Sequence, residues 1–239
     1  MNLQDQKVVI MGGTSGIGLA TAKIAAAKGA KVIITGRDPD KLKQAILQLP
    51  GNAEGLHVDA TSLNDLNNFY KNLGIFDHLV LAVSGKVGGG PFKNLTIDQL
   101  KQAFEAKFFA YFMATQASLN TLKASGSIVF ITASSARTSF PGTSGLAAVN
   151  GALESMIPTL ALELKPVRIN AVSPGIIETP WWDMWPKEQR QGVFNQISAT
   201  TPVGRVGQPE DIAQAILFLL ENTFITGTVI ECDGGIRIK

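Results

Sequence analysis

The amino-acid sequence predicts one α/β domain, residues 1–239, built on a doubly wound parallel β-sheet with helices on both faces. Short apolar segments alternate with segments of helical periodicity along the whole chain. No internal repeat or linker interrupts this alternation. The length of 239 residues is enough for one large domain with a well-buried core. Because such sheets bind ligands at the carboxyl ends of their strands, we expect the functional residues there.

The strands are predicted from short apolar segments, because a strand in a parallel sheet is buried on both faces. These segments are Val8–Met11, Lys31–Thr35, Leu56–Val58, His78–Val83, Ser127–Thr132, Arg168–Val172 and Thr228–Glu231. The helices between them carry start and stop signals such as Pro39 at a first helical position and Gly29 after a helix end. The predicted helices are Ile17–Lys28, Asp38–Gln48, Ser62–Leu73, about Ile97–Lys123, a helix beginning in Ser144–Glu154, and Pro209–Glu221.

The composition excludes several classes of protein. Hydrophobic residues make up 45% and charged residues 17%, which is typical of a globular chain rather than a disordered one. The net charge of +2 is small and no Lys/Arg cluster is present, so we expect no nucleic-acid partner. We also expect no membrane partner, because we find neither a signal peptide nor an apolar run long enough to span a bilayer.

Cysteine and histidine usage narrows the chemistry further. Cys232 is the only cysteine, which excludes an internal disulfide and makes the cytoplasm the expected compartment. His57 and His78 lie in separate segments, so we expect no metal site. The chain has no G-x-S-x-G turn, which disfavours a serine hydrolase.

A glycine-rich turn, MGGTSGIG, follows the first predicted strand and opens the first helix. Glycine allows backbone amides to approach a pyrophosphate, and the helix N-terminus favours its negative charge. This context favours a dinucleotide site over a simple tight turn. The candidate contacts are Gly12, Thr14, Ser15, Gly16, Ile17 and Gly18.

The spacing G-x-x-x-G-x-G resembles that of the short-chain dehydrogenase/reductase family, and the resemblance covers nearly the whole chain. The segments HVDAT, RINAVSPGIIETP, VGRVGQPEDIAQAILFLL and FITGTVIECDGG are similar to segments of that family. The resemblance implies a Rossmann-like domain that transfers hydride between NAD(P)(H) and an alcohol or carbonyl. It also implies a homotetramer or homodimer. Further implied cofactor contacts are Asp59, Ala60, Ala82, Val83, Ser84, Asn150, Pro174, Gly175, Ile177 and Thr179.

The choice between the two dinucleotides is made after the second strand. An acid there would bind the ribose of NAD, whereas an arginine would pair with the 2′-phosphate of NADP. Gly36 and Arg37 occupy the strand end, and Asp38 precedes Pro39 as an expected helix N-cap. Although Arg37 is open to interpretation as a solvated surface residue, we expect NADP(H) to be preferred over NAD(H).

The sequence departs from the family where its catalytic residues should lie. The family's Y-x-x-x-K pair aligns with Leu146 and Asn150, and the next register, Gly145 and Val149, does not restore it. Lys107 aligns with the active-site asparagine. The catalytic serine aligns with Ala133 or, after a shift of one residue, with Ser134. The candidate catalytic residues are therefore Lys107, Ser134 and Asn150.

These departures remove the usual proton donor. A leucine donates no proton, whereas Asn150 retains donors and an acceptor for the nicotinamide ribose. Lys107 is interpreted either as a lysine of lowered pKa that donates a proton or binds an anion, or as a structural lysine that bonds backbone carbonyls. Tyr111 is interpreted as interface packing, and the tryptophans of residues 181–194 as an apolar lid or an interface.

Three functions remain open for the chain. An NADP(H)-dependent oxidoreductase with a substitute acid or ordered water is favoured by the resemblance to the family. The alternatives are an NADPH-binding sensor without turnover and an inactive partner subunit. The small-molecule substrate is not indicated by the residues.

Overall fold

The computed structural model describes residues 3–51 and 53–238, so the predicted domain of residues 1–239 includes four residues outside the described ones. Within these ranges, seven parallel strands form one sheet in the order β3-β2-β1-β4-β5-β6-β7. The strands are β1 Lys7–Met11, β2 Lys31–Gly36, β3 Glu54–His57, β4 Phe76–Leu81, β5 Leu122–Ile131, β6 Arg168–Pro174 and β7 Val229–Cys232. This is a single Rossmann-like α/β domain, as the sequence predicts.

Helices cover both faces of the sheet. They are α1 Gly16–Ala27, α2 Pro39–Ile46, α3 Leu63–Leu73, α4 Ile97–Ala103, α5 Ala110–Ser118, α6 Ser144–Glu163, α7 Lys187–Thr200 and α8 Pro209–Glu221. One apolar cluster packs α1, α2 and α8 against one face, and a second packs α3, α5 and α6 against the other. Burial of both faces explains why the strands are continuous apolar segments.

One predicted helix is shorter in the structure, and one helix of the structure is absent from the prediction. The long helix expected over residues 97–123 ends at Ser118, because Leu122 pairs with Phe76 and begins β5. Strand pairing and burial therefore override the helical pattern of residues 119–123. Helix α7 was not predicted, because Phe194 is its only fully buried residue and its sequence carries little apolar periodicity.

Helix α6 corrects one expectation about apolar runs. By length and composition alone, α6 is long and apolar enough to cross a membrane, although the sequence analysis expected no such segment. In the fold, α6 packs against β6 and buries Leu153 and Ile157 in the second apolar cluster. The core accounts for one face of α6, since 33% of its apolar window is buried inside the structure. The helix also continues through Pro158.

His78 is a buried ionisable residue on the sheet, in β4. Its ring nitrogens lie 2.9 Å from Ser127 Oγ and 2.7 Å from Gln6 Oε1. A neutral ring fits both contacts, with the Nε2 proton donated to Gln6 and the Ser127 hydroxyl donating to Nδ1. Burial lowers the pKa of His78 to about 4, while the Asp77 carboxylate opposes this shift.

We expect His78 to make the fold sensitive to acid. Because its pKa is lower in the folded chain than in the unfolded chain, its stabilisation is present above pH 6.5 and is lost as the pH falls toward 4. The loss amounts to about 3 kcal/mol. Denaturant unfolding of His78→Gln between pH 7 and 4 should show a flatter pH dependence than the wild type. An identical slope for the two proteins would contradict this assignment.

Candidate functional site

The candidate site is a cleft of about 1350 Å³ at the carboxyl ends of the strands. The strand order reverses between β1 and β4, so the loops after these strands diverge there and open a crevice. Segments following β1, β2, β3, β4, β5 and β6 line the cleft, together with residues of α4, α6 and the segment between α4 and α5.

The structure brings every residue predicted for the site to this one cleft. The predicted catalytic residues lining it are Lys107, Ser134 and Asn150. The predicted cofactor contacts lining it are Gly12, Thr14, Ser15, Gly16, Ile17, Gly18, Arg37, Asp59, Ala60, Ala82, Val83, Ser84, Pro174, Gly175, Ile177 and Thr179. Convergence of the strand ends accounts for this, although the residues are distributed over most of the chain.

The glycine-rich turn fits a dinucleotide because side chains are sterically excluded from it. Gly12 has φ +81°, and a Cβ there would lie 2.8 Å from the Ala82 backbone. A Cβ on Gly18 would lie 2.2 Å from the Gly12 carbonyl oxygen. The turn therefore stays narrow and leaves the N-terminus of α1, which begins at Gly16, facing the cleft.

The end of β2 carries two cations, Arg37 and Lys41, and one acid, Asp38, which also lines the cleft. A Cβ on Gly36 would lie 2.5 Å from the Thr14 methyl group, so a side chain there would displace Thr14. Asp38 is the N-cap of α2, as predicted: its Oδ1 accepts hydrogen bonds from the Asp40 and Lys41 amides. Arg37 and Lys41 are exposed and line the cleft beside it. Lys41 is not indicated by the sequence pattern.

Asp59 lies just after the end of the neighbouring strand, β3. Burial acts to raise the pKa of its carboxyl, but hydrogen bonds from the Thr61 amide and hydroxyl, with the charge of Arg37, outweigh it and lower the pKa. The carboxylate is thus held ionised on the cleft wall, where it accepts hydrogen bonds.

Lys107 and Asn150 are in direct contact at the cleft floor. Lys107 lies in a π-helical segment, Phe104–Phe109, between α4 and α5. Its Nζ donates to Asn150 Oδ1 at 2.7 Å and to the Thr132 carbonyl at 3.1 Å. Asn150 Nδ2 in turn donates to the Leu146 carbonyl and to Ser135 Oγ. An amine and an amide therefore meet across two helical segments.

The surroundings of Lys107 alter its acidity. Burial lowers the pKa of its amine to about 7, and the negative charge of Glu154 limits the fall. The amine also lies 5.9 Å from the centroid of the Tyr111 ring. At neutral pH such a group exists in both protonation states and can exchange a proton.

Both tyrosine hydroxyls are bonded inside the core. Tyr111 is fully buried, donates to the Ile131 carbonyl at 2.9 Å and packs edge-to-face on Phe130, so its interpretation as interface packing is wrong. The Tyr70 hydroxyl contacts Met11 Sδ. Burial raises the pKa of both phenols, which makes them poorer acids.

The serine segment after β5 contains three neighbouring candidates. Ala133, Ser134 and Ser135 all line the cleft. Ser134 is buried, whereas the Ser135 hydroxyl accepts the Asn150 amide at 3.3 Å. Ser135 was not singled out from the sequence, because its contact depends on where a one-turn 3-10 helix, Ser134–Ala136, places it.

Three tryptophans form one wall of the cleft. Trp181, Trp182 and Trp185 pack edge-to-face in sequence, and Trp182 continues onto Phe194 of α7. The Trp181 indole donates to the Gly85 carbonyl at 3.0 Å, which joins this wall to the loop after β4. Leu146 stands near Gly88 and Gly89 of the same loop. The inner end of the cleft is therefore mostly apolar.

Comparisons with known proteins agree with the fold and the cleft. A family model described as enoyl-(acyl carrier protein) reductase matches residues 12–237. The Bacillus subtilis (strain 168) protein named uncharacterized oxidoreductase YxbG is 31% identical over 250 residues, 98% of this chain and 92% of the relative. A solved short-chain dehydrogenase/reductase family protein has a TM-score of 0.89 and 32% identity, covering 100% of both chains.

A second solved structure is a small-chain dehydrogenase in complex with NADPH, with a TM-score of 0.85 and 29% identity over 99% of this chain and 100% of that one. The chain belongs to the short-chain dehydrogenase/reductase family and is an oxidoreductase of that type. The family binds a nicotinamide cofactor. Among the described residues, no group of three His, Cys, Asp or Glu side chains is placed to hold a metal ion.

Proposed function

We propose that this protein is an atypical NADP(H)-dependent oxidoreductase in which Lys107 replaces the missing tyrosine as the polar group at the reacting centre. The contact between Lys107 and Asn150 carries the proposal, because it holds an amine of near-neutral pKa at the floor of the cleft. When bound, the cofactor supplies or accepts the hydride. The substrate is an unidentified carbonyl or alcohol.

The cofactor is held by the glycine-rich turn and by Asp59, and its 2′-phosphate is bound by Arg37 with Lys41 beside it. Gly36 supports this choice because it places no acidic side chain at the strand end, and one carboxylate oxygen of Asp38 caps α2. The relative that forms an NADPH complex gives independent support. Guanidinium groups match phosphate oxygens well in geometry and charge.

We expect NADPH to bind more tightly than NADH, and Arg37→Ala to remove most of the difference. One charge-assisted phosphate contact contributes about 1.5–3 kcal/mol, or about a 10- to 150-fold difference in Kd. Titration of both cofactors by calorimetry measures the ratio. The matched control is Lys43→Ala on α2, a residue that does not line the cleft. Equal Kd values for the two cofactors would contradict the assignment.

Lys107 and Asn150 divide the roles that one tyrosine–lysine pair has in the family. Asn150 orients the Lys107 amine, and its Nδ2 would exchange the 3.3 Å contact with Ser135 Oγ for the nicotinamide ribose when the cofactor binds. The ammonium form of Lys107 stabilises negative charge on the substrate oxygen and donates a proton to it. Ser134 lies on the same wall and is proposed to hydrogen-bond the substrate.

We expect Lys107→Met to lower any reductase activity by about a hundred- to ten-thousand-fold, because it keeps most of the side-chain stem and removes the acid. In the wild type, reduction should slow as the pH rises above about 7, since the amine then loses its proton. Stopped-flow measurement of NADPH oxidation checks both effects. Lys101→Met, on the exposed side of α4, is the control. Unchanged activity in Lys107→Met would show that Lys107 is structural.

We expect the wild type to reduce ordinary ketones and aldehydes slowly. A typical enzyme turns over about 10 times per second, and the wild type should be far below this rate. An ammonium of near-neutral pKa is held at a fixed point, and Leu146 places no hydroxyl beside it. Leu146→Tyr restores a phenol in the cleft and should increase turnover of such substrates. A carbonyl panel with both proteins measures this. Typical turnover by the wild type would contradict the expectation.

Leu146 also favours a second candidate function, NADPH binding without turnover, either as a sensor or as an inactive partner subunit. In that case Lys107 and Asn150 hold the ribose and no substrate reacts. Tight NADPH binding without NADPH oxidation across the carbonyl panel would favour the sensor. Co-purification with a second, catalytic chain would favour the partner subunit. We propose the cytoplasm as the compartment, since Cys232 is unpaired.

We expect a homotetramer or homodimer in solution. Phe109 and Phe112 of the α4–α5 region are 42% and 44% exposed, and Leu162 of α6 is 74% exposed. Large exposed apolar side chains on neighbouring helices are typical of interfaces. Light scattering at micromolar concentration should give a dimer or tetramer, and Phe112→Glu should shift it to a smaller species. A monomeric wild type would contradict the prediction.

A further inference from the structure

A buried carboxylate lies behind Lys107. Glu154 is on α6, one turn after Asn150, and is 8% exposed. Its Oε1 accepts the Thr132 hydroxyl at 2.8 Å, and the Thr132 carbonyl accepts the Lys107 amine at 3.1 Å. Thr132 therefore connects the amine to the carboxylate through one residue, with its backbone on the Lys107 side and its side chain on the Glu154 side.

An ion pair on the far side holds the carboxylate in place. Arg137 Nε donates to Glu154 Oε2 at 2.7 Å, and Arg137 also donates to Glu231 Oε1 at 2.7 Å. The Glu154 side chain thus has a partner on each oxygen. Its position is determined by the fold before any ligand binds.

The other charged and titratable groups near Lys107 are differently placed. Glu105 on the same segment and Asp98 and Lys101 on α4 are exposed, so water screens their charges. The Tyr111 hydroxyl donates a hydrogen bond to the Ile131 carbonyl. Arg137 lies beyond Glu154 and is paired with two carboxylates. Among the described residues around the amine, Glu154 is the carboxylate whose charge affects it from within the protein.

We propose that Glu154 is a positioning residue that, acting through Thr132, holds the Lys107 amine in its ammonium form at the cleft floor. The inference rests on the proposed function, in which that ammonium is the acid of the reaction. Asn150 orients the amine, and Glu154 supplies the compensating charge that an amide lacks. Asn150 and Glu154, on consecutive turns of α6, therefore both act on Lys107.

The energetic argument compares burial with charge. Burial alone drives a lysine toward the neutral amine, and fully buried lysines titrate at roughly pH 5 to 6. With Glu154 present, the pKa of Lys107 is about 7. A group that titrates near 7 is about half protonated at neutral pH, and any further fall in its pKa lowers the protonated fraction. The carboxylate thus keeps more of the amine protonated than burial alone would.

The direct test measures the titration of Lys107 without any substrate. Competitive acetylation of the folded protein with acetic anhydride at a series of pH values, resolved by peptide mass spectrometry, gives the midpoint for Lys107. We expect a wild-type midpoint near 7, and a midpoint lower by about half a pH unit or more in Glu154→Gln. Glu163→Gln, at the exposed end of the same helix, should leave the midpoint unchanged. An unchanged midpoint in Glu154→Gln overturns the proposal.

A second variant covers the case in which Glu154→Gln does not fold. Glu154→Asp keeps the charge and the Arg137 pair but withdraws the carboxylate by one methylene, so its midpoint should fall between those of the wild type and Glu154→Gln. A midpoint in Glu154→Asp equal to that of the wild type, with thermal unfolding also unchanged, counts against the proposal.

The pH profile of NADPH oxidation separates this proposal from the proposed function. If Lys107 is the acid, the decline in kcat at high pH should begin at a lower pH in Glu154→Gln, by the same interval as the labelling midpoint. A shifted midpoint with an unshifted rate profile would leave the Glu154 assignment standing and refute Lys107 as the proton donor.

Discussion

The parallel direction of all the strands is the constraint on which the site depends. Because both faces of the sheet are buried under helices, the strand ends are the parts of the sheet that can form an open site, and the carboxyl ends all lie at one edge. Residues from Gly12 to Trp185 therefore line one cleft. The reversal of strand order between β1 and β4 separates the loops at its centre.

Within that cleft, desolvation determines the chemistry. An amine removed from water is a weaker base, and the acceptors that surround it decide how far its pKa falls. The Thr132 carbonyl and the Asn150 amide oxygen satisfy the hydrogen bonds of Lys107 without adding a charge. The tryptophans and Leu146 supply an apolar part of the cleft lining.

Several features were readable from the sequence because they are local. The glycine-rich turn, the Asp38 cap and the limits of α8 follow from short-range backbone and hydrogen-bonding rules. Segment similarity predicted that Lys107 and Asn150 lie in one site, and both line the cleft. The end of the helix at Ser118 and the existence of α7 were missed, because strand pairing and weakly periodic packing determine them.

The sequence by itself determined the fold class and the glycine-rich turn, because each is expressed in residue type and spacing along the chain. Only the tertiary structure decided that Lys107 contacts Asn150, that the Tyr111 hydroxyl is engaged in the core, and that Glu154 lies behind the amine. These contacts join residues 20 to 43 positions apart. Their geometry depends on the register of β5 and on the π-helical turn at Lys107, which no local pattern specifies.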